Sequence, residues 1–76
     1  MKKPTMVELR ALAKEAGAVF ERRAFDSFLV CNVYWMKHPS FPNLIERFAS
    51  KSNRDCIYIK IVLLGLIELK RRGEME

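Results

Sequence analysis

The chain has 76 residues, and half of them are apolar while 30% are charged, a balance typical of globular rather than disordered proteins. Its 14 lysines and arginines exceed its 9 aspartates and glutamates, which gives a net charge of +5. A moderate basic excess suits contact with phosphate or an acidic partner, and it also keeps a protein soluble. The length leaves room for one domain over residues 1–76. Because a core of this size rarely supplies more than about 3–5 kcal/mol, we expect a homodimer or a protein partner.

The sequence also excludes several function classes. His38 is the only histidine, so a nucleophilic triad would have no other imidazole to act as its base. The spacing of His38, Cys31 and Cys56 does not match that of usual zinc ligands. The apolar run over residues 56–69 is interrupted by charges and is shorter than the about 20 residues of a membrane span. We therefore expect no enzyme, no catalytic residue, no metal or cofactor, no small-molecule substrate and no membrane contact. A cytoplasmic protein with two buried thiols fits best, or a Cys31–Cys56 disulfide if the source is heat-adapted.

The first element has the clearest boundaries. The stretch from Thr5 to Glu8 has the form of a capping box, with the glutamate three positions after the cap. Apolar residues then recur at helical spacing, and Gly17 is a natural stop because it accepts the left-handed conformation. The pattern predicts a helix over 5–16.

The middle of the chain is ambiguous between helix and strand. Phe25, Leu29 and Met36 belong to a helical stripe, and Pro39 ends any helix shortly before it. Residues 28–35 are nevertheless rich in β-favouring side chains. We favour one helix over 19–37, with a strand near 28–35 as the alternative.

The last third reads as a short helix over 42–50, a polar turn and a long helix over 54–72. The alternation of Ile57, Ile59 and Ile61 keeps a strand near 56–62 as the alternative. The fold class that follows is all-α, a compact bundle of about four helices, with an α+β fold as the second choice.

Residues 42–62 have the spacing of two helices joined by a short polar turn. Ala49 offers a small residue where the second helix would cross, and Asn53 tolerates a positive φ in the turn. This stretch resembles helix-turn-helix DNA-binding domains, although an ordinary helical hairpin has the same pattern. The resemblance implies DNA rather than RNA, bound by the turn and the start of the second helix. The candidate nucleic-acid-binding residues are Arg47, Lys51, Ser52, Asn53, Arg54 and Tyr58.

The last helix supports an alternative function. It is apolar on nearly all sides, so three other short elements cannot cover it fully. The alternative is a protein–protein or oligomerisation module, or a small subunit of a larger complex. Its candidate interface residues are Ile57, Ile61, Leu64 and Ile67.

Overall fold

The computed structural model, which describes residues 2–73, has two helices and a three-stranded antiparallel sheet. The strands follow one another as a meander in the order β1-β2-β3, so β1 and β3 are the two edges. This α+β architecture contradicts the predicted all-α bundle of four helices. The elements in chain order are α1 (Met6–Ala16), β1 (Val19–Asp26), β2 (Cys31–His38), β3 (Phe41–Ala49) and α2 (Asn53–Arg71).

The predicted first helix is present as α1. Thr5 is its N-cap, and the threonine hydroxyl accepts a hydrogen bond from the backbone N–H of Glu8 at 3.1 Å. Gly17 ends the helix with a φ of 77°, which a residue with a Cβ would adopt only under strain. Here the local capping signals were sufficient.

The predicted helix over 19–37 is wrong, because the segment is a β-hairpin. Strand β1 pairs with β2 from Val19–Lys37 to Asp26–Cys31, leaving a four-residue turn over 27–30. The turn has no glycine or proline to reveal it in the sequence. Instead, the carboxylate of Asp26 accepts hydrogen bonds from the backbone N–H groups of Phe28 and Leu29. The alternative prediction of a strand near 28–35 overlaps β2, but it included no strand over residues 19–26, where β1 lies.

The predicted helix over 42–50 is also wrong, because these residues lie in strand β3. Pro42 is compatible with the first turn of a helix, but an edge strand tolerates proline equally well. Leu44 and Phe48 fit both periods, since residues four apart share a face in a helix and in a strand. These residues form a strand because they pair with β2, in a register that places Ala49 opposite Val33.

The long last helix is present as α2, so the alternative strand at 56–62 is wrong. Ser52 is its N-cap, and the serine hydroxyl accepts from the N–H of Asp55 at 3.2 Å. Its buried residues recur at spacings of three and four, whereas the isoleucine alternation is incidental. The members of that buried stripe are Cys56, Ile59, Leu63 and Leu66.

Both helices pack on one face of the sheet. Met36 from β2 and Phe48 from β3 are fully buried there with Leu9 of α1 and Leu63 of α2. Side chains alternate along a strand, so the residues between these lie on the face that the helices leave open. A small separate cluster is buried on that open face, formed by Cys31, Val33 and Ala49.

The two helices run in the same direction. In the first half of each helix, the ammonium group of Lys60 lies 2.7 Å from the Glu8 carboxylate. Near their carboxyl-terminal ends the ammonium group of Lys70 donates to the backbone carbonyl of Glu15 at 3.1 Å. Both helices therefore begin at one end of the molecule, and this parallel arrangement positions the candidate site.

Candidate nucleic-acid interface

The predicted helix-turn-helix is absent, because Ala49 ends a strand and only one helix flanks the turn. Asn53 is the first residue of α2 and does not have a positive φ; among residues 2–73 the only non-glycine residue that does is Val30. The candidate recognition helix therefore has no first helix to brace it across a groove. What remains of the predicted site is its charge and its position at the start of α2.

Topology gathers separate parts of the sequence at the end where both helices begin. Strand β1 returns from the end of α1, so the β1–β2 turn lies at this end, and β3 also finishes here. The backbone N–H of Ser50 donates to the carbonyl of Asn32 at 3.0 Å, which ties the segment after β3 to the start of β2. The residues before α1, the β1–β2 turn and the start of α2 thus share one end.

Four cations lie at this end, and we call them the basic end: Lys2, Lys3, Lys51 and Arg54. None of them has an ion pair within residues 2–73, in contrast with Lys37 and Lys60, which pair with glutamates. Burial raises the pKa of the Cys56 thiol in the first turn of α2, and the charge of Lys3 opposes that rise. Lys3 therefore lies close enough to the start of α2 for its charge to act on this thiol.

The acidic groups at this end are engaged by other groups. Asp26 accepts two backbone N–H groups in the β1–β2 turn. Asp55 accepts the N–H of Ala49 at 3.1 Å, and Glu8 pairs with Lys60. The basic end therefore combines four unpaired cations with the positive ends of two parallel helix dipoles, and both attract an anion.

The structure separates the six predicted binding residues. Lys51, Asn53 and Arg54 are exposed and contiguous, while the hydroxyl of Ser52 is used to cap α2. Arg47 stands opposite Trp35 on the open face of the sheet. Tyr58 is half-exposed on α2, and its hydroxyl donates to Glu46 at 3.5 Å.

Sequence reasoning missed Lys2 and Lys3 as companions of Lys51. These residues lie almost fifty positions from the turn, and no local pattern connects them. Only the parallel course of the helices brings them together. The terminal cluster of Lys70, Arg71 and Arg72, by contrast, lies at the opposite end of α2.

The open face of the sheet has an aromatic residue that is already covered. The guanidinium carbon of Arg23 lies 4.7 Å from the centre of the Trp35 ring, and the ammonium of Lys37 lies 5.7 Å from it. Glu21 pairs with both cations, and the hydrogen bond from Lys37 is the largest cause of the lowered pKa of its carboxyl. This face therefore lacks a free ring at its centre for a base to stack on.

The predicted interface residues lie along α2 but differ in exposure. Ile61 and Leu64 are 54% and 46% exposed, whereas Ile67 packs against the main core and Ile57 is half-buried. An apolar groove lies beside this ridge, between α2 and β3. Its lining is formed by Phe41, Asn43, Leu44, Val62, Gly65, Leu66 and Leu69.

Both cysteines are buried free thiols in the structure, so Cys31 and Cys56 are not joined in a disulfide. Within residues 2–73 no group of three or more histidine, cysteine or acidic side chains could hold a metal ion. In the same part of the chain, neither helix is long and apolar enough to cross a membrane.

No protein-family model, curated protein or solved structure matches this chain.

Proposed function

We propose that the protein binds a nucleic-acid duplex, with double-stranded RNA as its ligand, by contacting phosphates at the basic end. The observation that carries the proposal is the convergence of Lys2, Lys3, Lys51 and Arg54 at the start of two parallel helices. Helix amino termini offer backbone N–H groups to an anion, and unpaired cations add the charge that phosphates require. Asp26, Asp55 and Glu8, the acids at this end, are engaged by backbone N–H groups or by Lys60, so they leave the cations unneutralised.

RNA replaces DNA in this proposal for a physical reason. The preference for DNA depended on a recognition helix that reads base edges in the major groove, and the helix-turn-helix that would present it is absent. Phosphate contacts across a folded surface read the shape of a duplex, which is how double-stranded RNA is mostly recognised. A single strand would need a track of open aromatic rings. Arg23 and Lys37 cover Trp35 on the open face, and the most exposed rings, Phe25 and Phe28, are confined to the β1–β2 hairpin.

The test is a salt titration of binding to a blunt, fully paired RNA duplex. The double variant Lys51→Ala/Arg54→Ala should bind more weakly and flatten the log–log salt slope by about two units, since each phosphate contact contributes about one. The matched control Lys14→Ala/Arg72→Ala removes the same charge at the opposite end of the helices. It should leave the salt slope unchanged.

Three results would count against the proposal. The wild type could show no binding at low salt, the two double variants could weaken binding equally, or a DNA duplex of the same sequence could bind more tightly. Equal weakening would mean that net charge matters and the position of the cations does not.

A second function is supported by a separate observation, the exposed apolar surface of α2. We propose that two copies associate through α2, with the ridge at Ile61 and Leu64 of one copy packing into the groove beside Val62 of the other. The ridge and the groove lie side by side along α2. A twofold axis near Gly65 would therefore place the ridge of each copy in the groove of the other. A Cβ placed at Gly65 would have no neighbour within 4 Å, which leaves room for a close helix approach.

Self-association is tested by light scattering over a concentration series. The wild type should give the mass of a dimer at tens of micromolar, and Ile61→Glu should give a monomer because a carboxylate at the ridge would be desolvated. The control Ile45→Glu places the same charge at another half-exposed isoleucine, on the open face of the sheet. A wild-type monomer throughout the series would exclude this function.

A further inference from the structure

The β1–β2 hairpin has a feature that phosphate binding does not use, a hollow beside its irregular edge. The pairing register shifts between Arg22 and Ala24, so Arg23 is an extra residue in β1. Bulges of this kind commonly redirect side chains next to functional sites. The shift opens a hollow of about 310 Å³, lined by Arg22, Arg23, Ala24, Phe25 and Asn32.

The lining offers the groups that hold a flat, polar-edged ring. Phe25 is 61% exposed, so its ring is available for stacking. Within residues 2–73 the guanidinium of Arg22 has no ion pair and the side-chain amide of Asn32 makes no hydrogen bond. A side-chain amide both donates and accepts hydrogen bonds, so it can pair with the donors and acceptors on the edge of a nucleobase. Arg23 is occupied by Glu21 and Trp35, which leaves Arg22 as the free cation.

The adjoining turn is strained and unusually apolar. Val30 has a φ of 54°, which is costly for a β-branched residue, and such strain concentrates at functional sites. Phe28 is 92% exposed and Val30 60% exposed, so stability does not explain why apolar side chains occupy the turn. Exposed apolar clusters mark contact surfaces.

The hollow is connected to the basic end. The backbone carbonyl of Asn32 accepts a hydrogen bond from the N–H of Ser50, and Lys51 follows Ser50 in the chain. A nucleic acid whose phosphates contact Lys51 therefore passes close to the hollow. No acid lines the hollow, and the nearby carboxylate of Asp26 is engaged by two backbone N–H groups.

We propose that this hollow binds an unpaired base of a bulged RNA duplex, which stacks on Phe25 and hydrogen-bonds to Asn32 while Arg22 contacts the adjacent phosphate. The inference rests on the proposed function, because the basic end holds the duplex that presents the base. Paired bases in an A-form duplex do not reach a side-chain ring, whereas a bulged base can be turned out and stacked on one. The hairpin thus distinguishes interrupted duplexes from continuous ones.

The experiment compares two RNA duplexes that differ by one bulged 2-aminopurine, whose fluorescence falls when it stacks. The wild type should bind the bulged duplex about tenfold more tightly than the paired one and quench the probe. Phe25→Leu keeps an apolar side chain but removes the aromatic ring, and Asn32→Ala removes the amide. Both should abolish the preference and leave affinity for the paired duplex unchanged, whereas the control Ile45→Ala should change neither.

The outcomes separate this inference from the function on which it rests. Equal affinity of the wild type for both duplexes would overturn the hollow as a base site while leaving phosphate binding intact. Equal weakening of both duplexes by Phe25→Leu would also overturn it. Free 2-aminopurine nucleoside monophosphate could also be quenched by the protein and compete with the bulged duplex at similar concentrations. That result would show that the hollow binds a soluble nucleotide instead. Binding of neither duplex would remove the proposed function and this inference together.

Discussion

The two hairpins of the sheet share strand β2, but their turns are held in different ways. The β2–β3 turn is anchored by His38, whose ring is only 4% exposed. Its Nε2–H donates to the carbonyl of Ala16 at 2.8 Å, and its Nδ1 accepts the N–H of Ser40 at 3.0 Å. The imidazole also packs against Phe41, with ring centres 5.4 Å apart. A histidine beside a proline in a turn is usually at the surface, but His38 is buried beneath the end of α1.

The β1–β2 turn has little of this support. Its side chains point into solvent, Val30 is strained, and the hydrogen bonds from Phe28 and Leu29 to Asp26 are made at the surface. The difference indicates that one hairpin turn contributes to stability while the other is available for contact. The turn that stabilises lies at the end where α1 finishes, and the available one lies at the basic end.

The largest effect on this comparison should come from His38→Ala. The variant loses a buried ring and leaves the Ala16 carbonyl without its donor, so the free energy of unfolding should fall by about 2–3 kcal/mol. Urea denaturation followed by circular dichroism measures this. Phe28→Ala in the other turn is the control and should change stability by less than about 0.5 kcal/mol. Equal losses in both variants would show that the two turns do not differ in this way.

A smaller effect of opposite sign should follow from Val30→Gly. Glycine adopts a positive φ without a Cβ clash, which removes about 1–2 kcal/mol of strain from the folded state. Its greater conformational freedom in the unfolded chain cancels part of that stabilisation. The free energy of unfolding should therefore rise by a net of about 0.5–1 kcal/mol, which a slightly higher melting temperature would show. Leu29→Gly, one residue earlier and without a positive φ, should be destabilising. A loss of stability in Val30→Gly would mean that the valine contributes more by packing than its strain costs.

The smallest effect concerns the ion pairs that join β1 to β2. Lys37 and Arg23 lower the pKa of Glu21 below its ordinary value of 4.5. The resulting stabilisation is present above that value and is lost as the pH falls through the lowered pKa of the folded state. Glu21→Gln should therefore remove a slight acid sensitivity, measured by unfolding at pH 6 and pH 3. A carboxyl midpoint at or above 4.5 by NMR titration would contradict this expectation.

The two helices show how far local signals reach. Thr5 and Gly17 bound α1, and Ser52 caps α2, because capping depends on atoms within four residues of the helix end. The charge of Lys51 and Arg54 and their place at the start of a helix were likewise evident from the sequence. Of the four predicted interface residues in α2, Ile61 and Leu64 are exposed, whereas Ile57 is half-buried and Ile67 packs against the core.

The strands were decided by tertiary structure. Residues 19–37 and 42–50 have apolar spacings that fit helix and strand alike, and only pairing with β2 chooses between them, because a strand has no hydrogen-bonding partner of its own. The same pairing creates the hollow at Phe25, and the parallel packing of the two helices brings Lys2 to the end of the molecule that holds Lys51. The sequence by itself therefore determined the helix ends and the charge, whereas the sheet and the site that spans distant residues depend on contacts across the chain.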